Sequence, residues 1–325
     1  MDVSPILSRI LQESEGADLF EVLAEGLSPT DLQSLLLEVY RRRATRVTPT
    51  QLLSSYEQNP YVRPAVVKPE TTLQVDLIAF SLLSPLFDWL EFSPVCPLGT
   101  CSAVATVDQN KTLSTVRNTE VVSDPTNVLA LECATRRRAL LKTAATAHQR
   151  VRLYTSQRVV RPQRFQGPAS FAHFRLLTLC TAGRDEGSFR FELETLYEQL
   201  LQLVTLLSAL RETGFTIGPI RIGITDLSEG VREAALETQV IAPLQERFPE
   251  LSIGFAPERT AGRGYYTDAC FALYITDSTG TEYMLADGGF TDWTQKLLSN
   301  RKERLLIGGL GTERLAVVFC PQGEK

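Results

Sequence analysis

Histidine is nearly absent from this 325-residue chain, which carries only His148 and His173. That scarcity excludes His-rich metal sites and leaves a histidine-based nucleophilic triad with little to stand on, because both need imidazoles that converge. The six cysteines, at 96, 101, 133, 180, 270 and 320, are also poorly placed for a metal. Only Cys96 and Cys101 are close, as Cys-Pro-Leu-Gly-Thr-Cys, and no second Cys or His pair completes a zinc site. Reduced, partly buried thiols are the expectation. Long apolar runs are missing too: none reaches the eighteen or so residues, roughly, that a membrane span requires. The start, Met1-Asp-Val-Ser-Pro-Ile6, lacks the basic and apolar regions of a signal peptide. A cytoplasmic protein without membrane contact is therefore expected. Basic charge is not in excess either, with 33 Lys and Arg against 38 Asp and Glu and a net charge of -5. The molecule as a whole does not attract nucleic acid. Local clusters at Arg41-Arg42-Arg43 and Arg136-Arg137-Arg138 read as solvated helix faces, with RNA contact as the other reading.

What is present begins with helices. Ser28-Pro29 with Asp31 supplies a capping hydroxyl, a proline at the first helical position and an acid in the first turn. Leu32, Leu35, Leu36, Val39 and Tyr40 follow at helical spacing, and Thr48-Pro49 repeats the start before Leu52, Leu53 and Tyr56. Residues 1–65 read as a helical N-terminal module, ended by Asn59-Pro60 and Arg63-Pro64.

Beyond it, 66–325 mixes strands and helices. An apolar helix is expected over Val75–Trp89, then a short strand ending at Pro94. Short β-rich runs are expected at Ala103–Val107, Thr112–Val116, Glu120–Val122 and Val128–Leu131, with turn chemistry at Ser123-Asp-Pro125-Thr-Asn127. A helix from about Cys133 to His148 leads to a hairpin of Arg152–Val160 and Phe174–Cys180, joined through 162–168. Leu193, Leu196, Leu200, Leu203, Leu207 and Leu210 form one stripe on a long helix over Phe189–Thr213. Strands at Ile220–Ile224, Cys270–Ile275 and Glu282–Ala286, and helices at Val231–Phe248 and 292–300, complete the series. Hairpins with helices packed on them give an α+β fold built on an antiparallel sheet.

The segment Ile307-Gly-Gly-Leu-Gly-Thr-Glu-Arg-Leu315 reads as a glycine-rich turn that delivers an arginine to a glycine-lined surface. Glycine permits close approach of backbone and ligand, and arginine brings a permanent charge with forked donors. No Gly-Lys-Ser/Thr follows, so it is not a P-loop. A plain strand-to-helix turn is the alternative.

Taken in order, these segments resemble the catalytic core of class II aminoacyl-tRNA synthetases, nearest to the histidyl branch and its regulatory paralogue in histidine biosynthesis. The match runs from about residue 75 to 320. The helix at 75–89 and the strand to Pro94 are similar to the first motif, which in the family builds the dimer interface. Gln157-Arg-Val-Val-Arg-Pro-Gln163 is similar to the second, with Phe174 at the aromatic position of the return strand. Glu258 to Phe271, with Gly262 and Tyr265-Tyr266-Thr267, resembles the histidyl substrate-binding segment. Gly288-Gly289-Phe-Thr-Asp292 resembles the glycine pair before the last helix, and Gly309-Leu-Gly311-Thr-Glu-Arg314 the third motif.

The resemblance implies ATP with Mg2+ as the cofactor. It implies Arg158 on the α-phosphate, Arg314 on the γ-phosphate, Phe174 stacked on adenine, and Gly309 and Gly311 along the nucleotide. Such fixed cations offset the charge that develops when a carboxylate attacks phosphorus. It further implies Glu132, Thr135, Arg263, Tyr265, Tyr266, Gly288 and Gly289 around the substrate. The chain departs from the family at three places. Val160 stands where an acid reads the adenine amino group, Ala261 and Gly264 stand where an Arg and an Asp precede the tyrosines, and Glu132 is one place out of register. The chain stops eleven residues after Arg314, so no anticodon-binding domain is expected. These features imply a synthetase-like homodimer that binds ATP, an amino-acid-like carboxylate or both, with adenylation of the carboxylate left open, and that does not charge histidine onto tRNA. The alternative is a catalytically silent dimeric scaffold or regulatory subunit that senses a small molecule, with a protein partner.

Overall fold

The computed structural model describes residues 5–13, 19–163, 169 and 171–321. The chain divides into two compact units, Met1–Arg63 with Ser114–Thr119, and Pro64–Leu113 with Glu120–Lys325.

The first unit contains helices α1 (Pro5–Glu13), α2 (Leu19–Glu21), α3 (Pro29–Ala44) and α4 (Pro49–Gln58). The caps act as the sequence predicts. Ser28 accepts from the Asp31 backbone N–H above Pro29, and Thr48 and Gln51 form a reciprocal capping box. No residue of α2, α3 or α4 is buried. Leu35, Val39, Leu52 and Leu53 are exposed, while Leu32 and Leu36 are half-buried.

The second unit is built on an eight-stranded sheet. Its strands in chain order are β1 (Asp88–Trp89), β4 (Val151–Val160), β5 (His173–Arg184), β6 (Ile220–Asp226), β7 (Ser252–Phe255), β8 (Ala269–Thr276), β9 (Glu282–Thr291) and β10 (Glu303–Leu310). Their spatial order is β1-β4-β5-β10-β9-β8-β6-β7. The interior pairs are antiparallel, as expected, but the two outer pairs, β1 with β4 and β6 with β7, are parallel. Strands β2 (Val95–Pro97) and β3 (Thr119–Val121) form a separate two-stranded sheet.

Strand alternation sends neighbouring side chains to opposite faces. On β5, Leu177 and Leu179 join one core with Leu196, Leu200, Leu203 and Leu207 of α7 (Arg190–Glu212), while Cys180 and Ala182 join another with Leu129 and Cys133 of α6 (Pro125–Leu140). The leucine stripe of α7 is core, as its spacing predicts. Helices α5 (Pro69–Leu83) and α11 (Thr312–Val318) pack with α7 and β5 on the first face. On the second, α6 and α10 (Trp293–Leu298) cover one end.

Several elements differ from the sequence expectation. The helix expected at 75–89 runs over Pro69–Leu83, and Asp88–Trp89 is a strand. Residues 90–94 form no strand; the strand begins at Val95. Of the short β-rich runs, only the one near 120 is a strand, and 100–104 is a π-helical turn. Val128–Leu131 is helical because Asp124 caps α6 by accepting from Thr126 N–H with Pro125 at the first position. That start signal has the same composition as a turn. The expected helix over Val231–Phe248 divides into α8 (Glu233–Leu236), a π-turn and α9 (Ala242–Arg247). The supposed turn at 307–310 is strand β10, and Gly288 and Gly289 lie inside β9. Part of the loop expected at 162–168 lies outside the described residues.

Candidate functional site

The end of the sheet left free by α6 and α10 holds a cavity of about 380 Å³. Its floor is the sheet itself: Phe174, Leu176 and Thr178 of β5, Met284 to Asp287 of β9, and Ile307 to Gly309 of β10. Asp124 and Thr126 reach it from the start of α6, Tyr265 and Tyr266 from the loop before β8, and Arg314 from α11.

Arg314 is the electrostatic centre of this cavity. Its guanidinium Nη1 donates to the Met284 carbonyl at 2.7 Å, and Nε reaches the Ala169 carbonyl at 3.4 Å. Among the described residues no acid pairs with it. Burial pushes its pKa down, because desolvation disfavours the charged form. Arginine stays protonated all the same. An anion entering the cavity would supply the missing partner.

The opposite wall carries paired charge. Arg161 donates from Nε to the Ser123 carbonyl at 2.9 Å and from Nη2 to Asp124 at 3.2 Å, and its guanidinium lies 5.1 Å from the centre of the Phe174 ring. Asp287 accepts from Arg259 Nη2 at 2.8 Å and from Tyr266 Oη at 3.3 Å. Burial raises the Asp287 carboxyl above its ordinary value, and the Arg259 contact opposes that rise. Tyr265 packs edge-on against Tyr266 and Trp293, at 5.0 Å and 5.5 Å between centroids. Burial first, then nearby Asp124 and Asp287 among other charges, raises both phenols, so they stay neutral.

The glycines make room for these groups. A Cβ on Gly289 would sit 2.6 Å from the Tyr266 ring, and one on Gly288 would sit 2.5 Å from the Phe271 ring. Gly288 and Gly289 thus serve packing beneath the site, whereas Gly309 and Gly311 line it.

Of the residues expected at the site, the cavity brings together Phe174, Tyr265, Tyr266, Gly309, Gly311 and Arg314. It does not bring in Arg158, Glu132, Thr135 or Arg263. Arg158 pairs in register with Arg175, so it faces away from Phe174 and Leu176. There its Nη2 meets Glu313 Oε2 at 2.8 Å and Nη1 meets His173 Nδ1 at 3.0 Å. Glu132 and Thr135 lie within α6 and not in a loop; Glu132 pairs with Arg136 at 2.8 Å, and Thr135 bonds the Leu131 carbonyl. Arg263 folds back on the carbonyls of Arg259 and Pro257. In their place stand Asp124, Thr126, Arg161 and Asp287, the last paired with Arg259. The signal for the first two was the Asp-Pro-Thr helix start, read as turn chemistry. Asp287 borders the glycine pair, where no spacing rule picks it out.

No protein-family model matches the sequence, and neither does any curated protein. Solved structures do match in fold. Apo S. aureus histidyl-tRNA synthetase superposes with a TM-score of 0.57 at 15% identity, over 78% of this chain and 67% of that one. A Bacillus halodurans protein described as an ATP phosphoribosyltransferase regulatory subunit/histidyl-tRNA synthetase gives 0.54 at 13%, over 79% and 82%. The RNA binding domain of threonyl-tRNA synthetase from Cryptosporidium parvum Iowa II gives 0.54 at 9%, over 77% and 62%. The chain therefore has a class II synthetase-like fold.

Proposed function

We propose that this chain is a synthetase-like protein whose cavity binds a nucleotide, with ATP as the reference ligand. The observation that carries the reading is Arg314, a cation half-withdrawn from water in a cavity without an acidic partner among the described residues. Such a charge is costly unless a ligand answers it. Phosphate oxygens suit its forked donors. Gly309 and Gly311 leave the adjoining backbone open to close approach. Phe174 supplies an aromatic edge for a base, on a ring already approached by Arg161. Mg2+ enters as the counter-ion of ATP; no group of three or more His, Cys, Asp or Glu among the described residues could hold a metal.

Adenylation of an amino-acid-like carboxylate is the active form of this reading. Asp124 and Asp287 would then face a ligand's amino group. The silent form, a dimeric regulatory or scaffold subunit, draws on a different observation. Arg158 is spent on Glu313, and Arg161 is neutralised by Asp124, so one unpaired guanidinium is left to stabilise charge at phosphorus. Pyrophosphate exchange with a panel of amino acids separates the two. Exchange supports the ligase; ATP binding without exchange supports the regulatory subunit.

A homodimer is part of both forms. Leu73, Leu77 and Phe80 are 60%, 68% and 46% exposed at helical spacing on α5. Phe80 continues edge-on to exposed Trp89, 5.3 Å away. A contiguous apolar face of this kind suits a second copy of itself.

A further inference from the structure

Glu313 immediately precedes the cavity arginine on α11, yet it points the other way, into the layer between sheet and helices, where it is 2% exposed. A buried carboxylate needs a cation and donors. Arg158 of β4 supplies both, with Nη2 to Oε2 at 2.8 Å and Nη1 to Oε1 at 3.3 Å. His173 of β5 holds Nη1 from the far side. The forked contact fixes direction as well as distance. On the same face, Asp76 of α5 meets Arg175 at 2.8 Å and Ser156 at 2.6 Å, so the β4–β5 hairpin is tied to two helices through two separate acids. α11 itself is seven residues long and held otherwise by Leu315 in the core, with Val318 packed on it and Ala316 buried. A helix that short has little intrinsic stability.

We propose that Arg158 is a positioning residue: by clamping Glu313 to the hairpin, it sets α11 so that Arg314 projects into the cavity. The hairpin's other face carries Phe174 and Leu176 in the cavity floor. One ion pair therefore registers the floor against the cation above it. The role in binding rests on the nucleotide reading, while the clamp itself does not.

Five proteins separate the possibilities: wild type, Arg158→Met, Glu313→Gln, the double variant of these two and Arg314→Ala. Each is titrated with ATP and Mg2+ by calorimetry and followed by hydrogen exchange over residues 312–318. Arg158→Met should weaken ATP by about fivefold, the scale of a coupled pair, and speed exchange in α11 while leaving β8 and β9 protected. In the Glu313→Gln background the same substitution should add nothing. An effect that persists in that background means that Arg158 touches the ligand and overturns the proposal. Unchanged affinity in Arg158→Met, with Arg314→Ala still weakened, also overturns it and leaves the nucleotide reading intact. If the wild type binds no ATP, that reading fails, and exchange decides the clamp: unchanged protection of α11 in Arg158→Met refutes it. The double variant, which buries no lone charge, covers the case in which a single variant does not fold.

Discussion

Arg137 and Arg314 show two ways of holding a guanidinium out of water. Arg137 is fully buried opposite an equally buried Glu303, with Nε at 2.8 Å and Nη2 at 3.0 Å from the two carboxylate oxygens. The carbonyls of Gln149 and Ala147 accept from Nη1 and Nη2. With its charge paired and its side chain fully buried, this arginine has nothing to offer a ligand. Glu303→Ala would leave that charge alone and should cost roughly 3–5 kcal/mol in urea denaturation; a loss below about 1 kcal/mol would contradict the burial. Arg314 keeps its unanswered donors in a cavity. Asp287 offers a second residue-level test. Burial raises its carboxyl above the ordinary 3.8, so the folded state holds that proton more tightly than the unfolded one. Such a group adds stability at low pH and loses it as pH rises through the raised value. Asp287→Asn should remove that loss above about pH 4, seen as a flatter denaturation profile. A profile identical to wild type would count against it.

At the scale of elements, α5 has two faces with different tasks. Val75, Ala79 and Leu83 are buried in the core beside α7 and α11, while Leu73, Leu77 and Phe80 are turned outward. Phe87 is buried in the core and does not face outward, while Leu82 is half-buried against it. Leu77→Asp with Phe80→Asp should yield a monomer in light scattering with an unchanged circular dichroism spectrum. A dimer that survives both changes would place the contact elsewhere. Strand β4 teaches a different lesson. Its existence was plain from Arg152–Val160, yet the side on which each arginine lies was not. A strand has a period of two, and a shift of one residue moves a side chain to the opposite face. Arg158 therefore lies on the face away from the cavity and Arg161 beside it, and nothing within Gln157-Arg-Val-Val-Arg reveals which. Strand β10 escaped notice for another reason: Gly308 and Gly309 erase the apolar alternation by which strands are recognised.

At the scale of the molecule, order proved more legible than detail. The hairpin, the leucine-striped α7 and the paired strands near 270 and 282 carry strong periodic signals, and their sequence pointed to the class II synthetase-like fold. The cavity was half legible. Tyr265, Tyr266 and Arg314 sit in motif-like segments and Asp124 in a helix start that shares its composition with a turn, whereas Asp287 acquires its place through tertiary packing that no local spacing encodes. No helix among the described residues is long and apolar enough to cross a membrane, and the excess of acidic residues makes an anionic ligand depend on local cations such as Arg314. The most direct test of the account is calorimetric titration of ATP with Mg2+ into wild type and Arg314→Ala. The account predicts saturable binding to the wild type, weakened by about 2 kcal/mol or more in the variant, the scale of a lost charged hydrogen bond. Equal affinity in the two proteins would contradict it.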